Sequence, residues 1–261
     1  YDHGLLAFTI NLQGGSPEGY SRYQPWINNS YTEKGDLRTE YMARLDKILK
    51  KSDELGMITI LGLFYFGQDE NLEDEAAVKN AVSNAINWVL EKGYENVIIE
   101  IANECDNGAY QQEIIQKPRI PELINLAKSI NKNGKRLLIG TSFIVNRLPS
   151  DEVVKVSDFV LIHGNGVHEP TRIMEMVDQT RAFPSYRPMP IVFNEDDHYD
   201  FDKDMNNMIA AFSSHASWGF FDFRREGESF EEGYQSVPVD WGINSERKKA
   251  FFNSLKEITG K

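Results

Sequence analysis

The chain has 261 residues, 41% of them hydrophobic and 11% aromatic, which is ample for a sizeable core in one α/β barrel or two small domains. A net charge of −12 and a pI near 5.0 argue against a nucleic-acid binder, which needs a basic stripe, and no apolar run is long enough to cross a bilayer. A single cysteine, Cys105, excludes an internal disulfide framework and CxxC-type metal sites.

Tyr1-Asp2-His3-Gly4 leads straight into apolar sequence without an initiator Met, which reads as a mature form or a fragment. A secreted or periplasmic setting is favoured over the cytoplasm. Leu5 to Leu12 reads as a strand, followed by turn formers from Gln13 to Tyr20. Ser21 to Asp36 is a long aromatic loop carrying Tyr23, Trp26 and Tyr31, and loops of that length are usually functional. Leu37 to Leu55 is an amphipathic helix stopped by Gly56, and Met57 to Phe66 is the next strand, closing in Gly67-Gln68-Asp69-Glu70.

Glu73 to Glu91 is helical, with Trp88 on its core side. Val97 to Glu104 is a buried strand ending in Asn103-Glu104. Alternation sets Ile98, Glu100, Ala102 and Glu104 on one face of it. Carboxylates on an apolar strand are costly and are tolerated mostly where chemistry occurs. Then follow a helix from Pro121 to Asn131, a strand from Arg136 to Ser142, a short helix from Ser150 to Val156 and a strand from Phe159 to His163 that runs into Gly164-Asn165-Gly166. Thr171 to Ala182 is helical, Pro190 to Glu195 is a strand that also ends in Asn-Glu, and Asp204 to Ser214 is helical. Ser217 to Phe223 is the last strand. Ser245 caps the final helix, which runs to Thr259, and Arg224 and Arg225 with Glu226 and Glu228 order the loop before it.

Strand, polar loop and helix thus repeat seven times with no linker, so residues 1–261 read as a single (β/α)-barrel catalytic domain. Polar residues gather at the C-terminal ends of the strands, the pattern of a TIM (β/α)8-type barrel with its first strand-helix unit missing or irregular. An open doubly wound sheet is the other arrangement, but no strand is followed by GxGxxG.

Glu104 and Glu195 form the candidate catalytic pair. Glycoside hydrolysis needs one carboxylic acid to protonate the leaving oxygen and a second carboxylate across the anomeric carbon. Ile99-Glu100-Ile101-Ala102-Asn103-Glu104 resembles the fourth-strand signature of the clan A glycoside hydrolases, which include the family 5 cellulases and mannanases. The resemblance implies Glu104 as acid/base, Asn103 on the sugar 2-hydroxyl, and a further Glu four residues upstream. Pro190 to Glu195 is similar to the clan's seventh strand, whose terminal Glu is the nucleophile. His163 resembles the sixth-strand His, and Trp218 the eighth-strand Trp that forms a sugar platform; on that count Leu5 to Leu12 is the second strand.

Three features depart from the clan pattern: Cys105 stands where Pro commonly follows Asn-Glu, no second-strand Arg is found to balance Glu100, and Asp196-Asp197-His198 follow Glu195. They bear on subfamily and substrate more than on reaction class. The candidate substrate-binding residues are Asn103, His163, Trp218, Asp69, Trp26 and Asn165, the expected partner is an oligosaccharide or polysaccharide, and no cofactor or metal is required. Two other readings stay open: a carbohydrate-binding barrel without catalysis, and a metal-dependent hydrolase using Asp196, Asp197 and His198, with Asp69 or His163 as a further candidate ligand.

Overall fold

Seven parallel strands alternate with seven helices in the computed structural model, which describes residues 1–14, 28–235 and 238–261. The first half holds β1 (Ala7–Asn11), a small antiparallel pair β2 (Gln13–Gly14) and β3 (Asn28–Asn29), α1 (Thr39–Leu55), β4 (Ile58–Phe64), α2 (Glu75–Lys92), β5 (Val97–Ala102) and α3 (Ile120–Ser129). The second half holds β6 (Leu138–Gly140), α4 (Asp151–Val156), β7 (Val160–His163), α5 (Pro170–Arg181), β8 (Ile191–Asp196), α6 (Asn207–Ser213), β9 (Ser217–Phe220) and α7 (Glu246–Thr259). Every strand and helix expected from the sequence is present, mostly trimmed at its ends. Tyr20, Tyr23 and Trp26 of the first long loop lie outside the described residues.

Helix boundaries follow from local chemistry. The Asp74 side chain accepts from Ala77 N at 2.8 Å and starts α2, while Gly93, at φ +81°, takes the left-handed turn that ends it. Between those caps Ala77, Ala81 and Ala85 alternate with Val78, Val82 and Val89 on a fully buried face. Small residues there let the helix lie close to the sheet. Ser245 caps α7, accepting from Lys248 N.

The strands form two parallel sheets, β1-β4-β5-β6 and β7-β8-β9. Val97, Ile99 and Ile101 pack outward with α2 and α3 into the larger core, and Val160, Ile162, Ile191 and Phe193 do the same in the second sheet. The alternate residues point inward. Ile60 and Ile98 of the first sheet meet Phe159, Leu161 and Val192 of the second in one cluster, so the two sheets enclose a common interior. That is the inside of a (β/α) barrel. It is an open one: Asp158 N donates to Ile139 O (2.8 Å) at the β6–β7 seam, and β1 and β9 are the outer strands on the other side. The irregularity expected at the first unit falls at this β9–β1 opening. There Leu5 joins the α7 cluster of Phe251 and Leu255, and the His3 ring stands edge-on to Phe252 at 5.4 Å. Among the described residues no helix is long and apolar enough to cross a membrane.

Candidate active site

The strand β5 ends at Ala102, and Glu104 reaches the barrel mouth by a turn, not by continued alternation. Its φ is +53°, in the left-handed region that a residue with a Cβ enters at a cost of roughly 1–2 kcal/mol. Neighbouring strands hold it there. Glu104 N donates to Ser142 Oγ (2.9 Å), Cys105 N to Ser142 O (3.0 Å), and the Tyr110 hydroxyl to Asn103 O (2.6 Å). Asp106 Oδ1 accepts from Ile144 N at 2.8 Å and ties the following loop to the end of β6. Backbone strain fixed from several sides is a device of sites that must aim one side chain.

A register shift between Ile162 and His163 brings His163 opposite Glu195 on β8. His163 Nδ1 then stands 3.0 Å from Glu104 Oε1 and 3.7 Å from Glu195 Oε2. Both distances start from one nitrogen, so the two oxygens are no farther apart than 3.0 Å and 3.7 Å laid end to end. Asn107 Nδ2 donates to Glu104 Oε2 (3.1 Å) and Asn165 Nδ2 to Glu195 Oε2 (3.3 Å), so each carboxylate has its own amide as well as the shared imidazole. The His163 side chain is wholly buried, whereas those of Glu104 and Glu195 keep 10% and 13% exposure, enough for a ligand to touch them.

Burial acts to raise Glu104, but the hydrogen bond and charge of His163, with Asn107, outweigh it and hold this carboxyl below its ordinary range. Glu195 goes the other way, because burial exceeds the pull of His163. Burial disfavours the His163 charge, yet Glu195, Glu104 and Glu100 around it push it up to about 9. Burial lifts Glu100 to about 7. Two carboxyls driven apart are what acid/base chemistry needs. In this geometry Glu104 is the carboxyl whose charged form is favoured and Glu195 the one whose charge burial disfavours, the reverse of the order that the roles implied by the sequence resemblance call for.

The structure gathers Glu104, Glu195, His163 and Asn165, while Asn103, next to Glu104 in the chain, is buried with its Oδ1 unpartnered. It does not bring Trp218 or Asp69 to the pair. Trp218 lies beside Phe193 on the helix side of β9, stacked among Phe201, Phe220 and Phe251, and its Nε1 donates to Asp196 Oδ2 at 2.9 Å. The platform reading is corrected accordingly, since the ring packs an outer layer. Asp69 Oδ2 accepts from Gln111 N and Gln112 N (2.8 and 2.7 Å) and so orders the loop after β5. Trp26 lies outside the described residues.

Asp196, Asp197 and His198 do offer ligand atoms within 4.8 Å of one another. The cluster is already satisfied internally: Asp196 Oδ1 accepts from His198 N, Asp196 Oδ2 from Asn207 Nδ2 and Trp218 Nε1, and His198 Nε2 meets His168 Nδ1 at 3.1 Å. Cys105 is buried and its thiol is pushed up by that burial, so it is inert packing. Arg247 of α7, a residue not singled out from sequence, pairs with Asp222, Glu228 and Glu232 to order the loop before α7. Also missed were Ser142 and Asn107. Ser142 is a small polar residue at a strand end, and Asn107 sits three residues past Glu104 in a polar loop; those are the only signals either carried. A hollow of about 540 Å³ on the outer flank, lined by Asp36, Asn84, Asn87, Trp88 and Glu91, shares no residue with this cluster.

No protein-family model matches the chain, and a sequence search among curated proteins finds no match. Solved structures do resemble it. A glycoside hydrolase family 5 enzyme from Prevotella bryantii superposes with a TM-score of 0.61 at 10% identity, over 97% of this chain and 96% of that one. A broad specificity endoglucanase from Clostridium longisporum gives 0.63 at 10% identity, over 98% and 84%. A beta-glucosidase from Exiguobacterium marinum gives 0.60 at 10% identity, over 99% and 85%. At that identity the likeness establishes the barrel fold and not the activity.

Proposed function

We propose that this chain is a retaining glycoside hydrolase that uses Glu104 and Glu195 in a double displacement. The observation that carries the reading is the pair of strand-end carboxylates bridged by one buried imidazole at the C-terminal mouth of the barrel. Their ceiling on separation accommodates the ~5–5.5 Å of a retaining pair and leaves little room for the water of an inverting one.

In this mechanism Glu195 attacks the anomeric carbon while Glu104 protonates the departing oxygen. Water activated by Glu104 then opens the glycosyl ester. His163 reconciles this charge ordering with those roles. Its Nδ1 lies 3.0 Å from Glu104 Oε1, and a sugar that excludes water disfavours the separated ion pair, so the Nδ1 proton passes to Glu104 and both groups become neutral. The Glu195 carboxylate takes no proton in this exchange and is the anionic nucleophile. Asn165 orients Glu195, and Asn103 meets the sugar 2-hydroxyl. Export from the cytoplasm suits an enzyme of this kind that works on a polymer.

Similar structures include an endoglucanase, a beta-glucosidase and an enzyme crystallised with a xyloglucan oligosaccharide, so β-linked glucosides and glucans are the substrates to try first. The expected result is hydrolysis of at least one aryl β-glycoside or β-glucan, undiminished by a chelator. Binding without any turnover would instead favour a carbohydrate-binding barrel, and turnover abolished by the chelator would favour the Asp196–His198 cluster.

A further inference from the structure

Glu100 lies on β5 one step deeper than the pair and is used by none of the steps above. It is wholly buried, and neither of its oxygens has a hydrogen-bond partner. An anion in that position is expensive, and a buried carboxyl without a partner calls for an explanation. The strand register supplies one. Asn11 of β1, Gly62 of β4, Glu100 of β5 and Gly140 of β6 stand side by side on one level of the barrel. A Cβ on Gly62 would fall 2.0 Å from Asn11 Oδ1 and 3.6 Å from Glu100 Oε2, so the carboxamide and the carboxyl converge over the glycine. Asn11 Oδ1 is also buried without a partner. Two acceptors thus crowd the same glycine, and a proton on Glu100 supplies a donor for Asn11 Oδ1.

The titratable groups around Glu100 are Glu104, Cys105 and Tyr110 from the β5 end, His163 from β7 and Glu195 from β8, with the Ser142 hydroxyl from the β6 end. The single cation among them, His163, makes its contacts to Glu104 and Glu195. We propose that Glu100 is a positioning residue carried as a neutral carboxylic acid that donates to Asn11 Oδ1 over Gly62, which leaves the His163 charge to be divided between Glu104 and Glu195 alone. Ionisation of Glu100 would add a third anion for one imidazolium and loosen its hold on both carboxylates. This service to the pair rests on the glycosidase reading; the protonation of Glu100 does not.

The test is Glu100→Gln, whose amide puts an N–H where the acid has its O–H. The Glu100 carboxyl is lifted from 4.5 to about 7, so the folded state carries no penalty below 4.5 and loses stability as pH rises through about 7. Glu100→Gln is therefore expected to melt several degrees above the parent at about pH 8 and level with it at about pH 4. Infrared spectra of chains labelled with carbon-13 in Glu are expected to contain a protonated-carboxyl band that titrates near neutrality and is absent from the variant. The same band, read in a Glu195→Gln chain, serves if Glu100→Gln does not fold. With an active substrate, the alkaline limb of kcat/KM is expected to move up by about one pH unit in Glu100→Gln. Equal destabilisation of Glu100→Gln at both pH values, or no titrating band, overturns the proposal. Failure to find a substrate removes only the third readout and counts against the proposed function, not against the protonation.

Discussion

Glu195→Gln is expected to lower kcat/KM on a β-glycoside at least a thousandfold, about 4 kcal/mol of transition-state stabilisation, while the melting temperature stays within a few degrees of the parent. The amide fits the same space and still meets Asn165, but it cannot form the glycosyl ester. No other described residue offers a carboxylate both on His163 and at the mouth on that side. Stability should not fall, because burial already disfavours the Glu195 charge and the variant removes that penalty. Steady-state rates on an aryl glycoside, with circular dichroism on the same preparation, check both halves. Retained turnover would remove Glu195 from the mechanism.

Glu104→Gln should behave differently, and the difference assigns the roles. Loss of the proton donor costs ~10²–10⁴-fold on substrates with poor leaving groups. With a phenol that leaves without assistance, the first displacement should survive, and the glycosyl enzyme should accumulate because no base activates water. A pre-steady-state burst of phenol followed by slow turnover is the expected trace, and added azide should accelerate it. If the burst belongs to Glu195→Gln instead, the two carboxylates trade roles, in the direction in which burial and His163 already order their charges. The His163 proton explains why that ordering need not persist under a bound sugar. His163 Nδ1 contacts both carboxylates at 3.0 and 3.7 Å, so its proton decides which of them is the acid.

Much of this was legible in the chain because period and position carry it. The strands of the second sheet were read from runs such as Val160-Leu161-Ile162, and the helices from Gly56 and Ser245 as well as from their apolar faces. The two Asn-Glu strand ends pointed to the pair, and His163 falls between them. What sequence could not supply was direction. Glu104 reaches the mouth through a left-handed turn that alternation does not anticipate, and the hydroxyl that holds it comes from Ser142, 38 residues on. Trp218 sits at the right strand but on its outer side, because β9 sets it against Phe193 and its indole N–H against Asp196. The absence of an Arg to balance Glu100 was visible. Its answer was not, since it needed the register that lines up Asn11, Gly62 and Glu100 across three strands.

The central claim is a double displacement at one pair of carboxylates, and the stereochemistry of the product tests it most directly. Proton NMR of the first sugar released from a β-glycoside, recorded before mutarotation, distinguishes the two outcomes. The β anomer, with configuration retained, is predicted. An α anomer formed first would mean a single inverting attack by water and would contradict the assignment of a nucleophile at the Glu104–His163–Glu195 site.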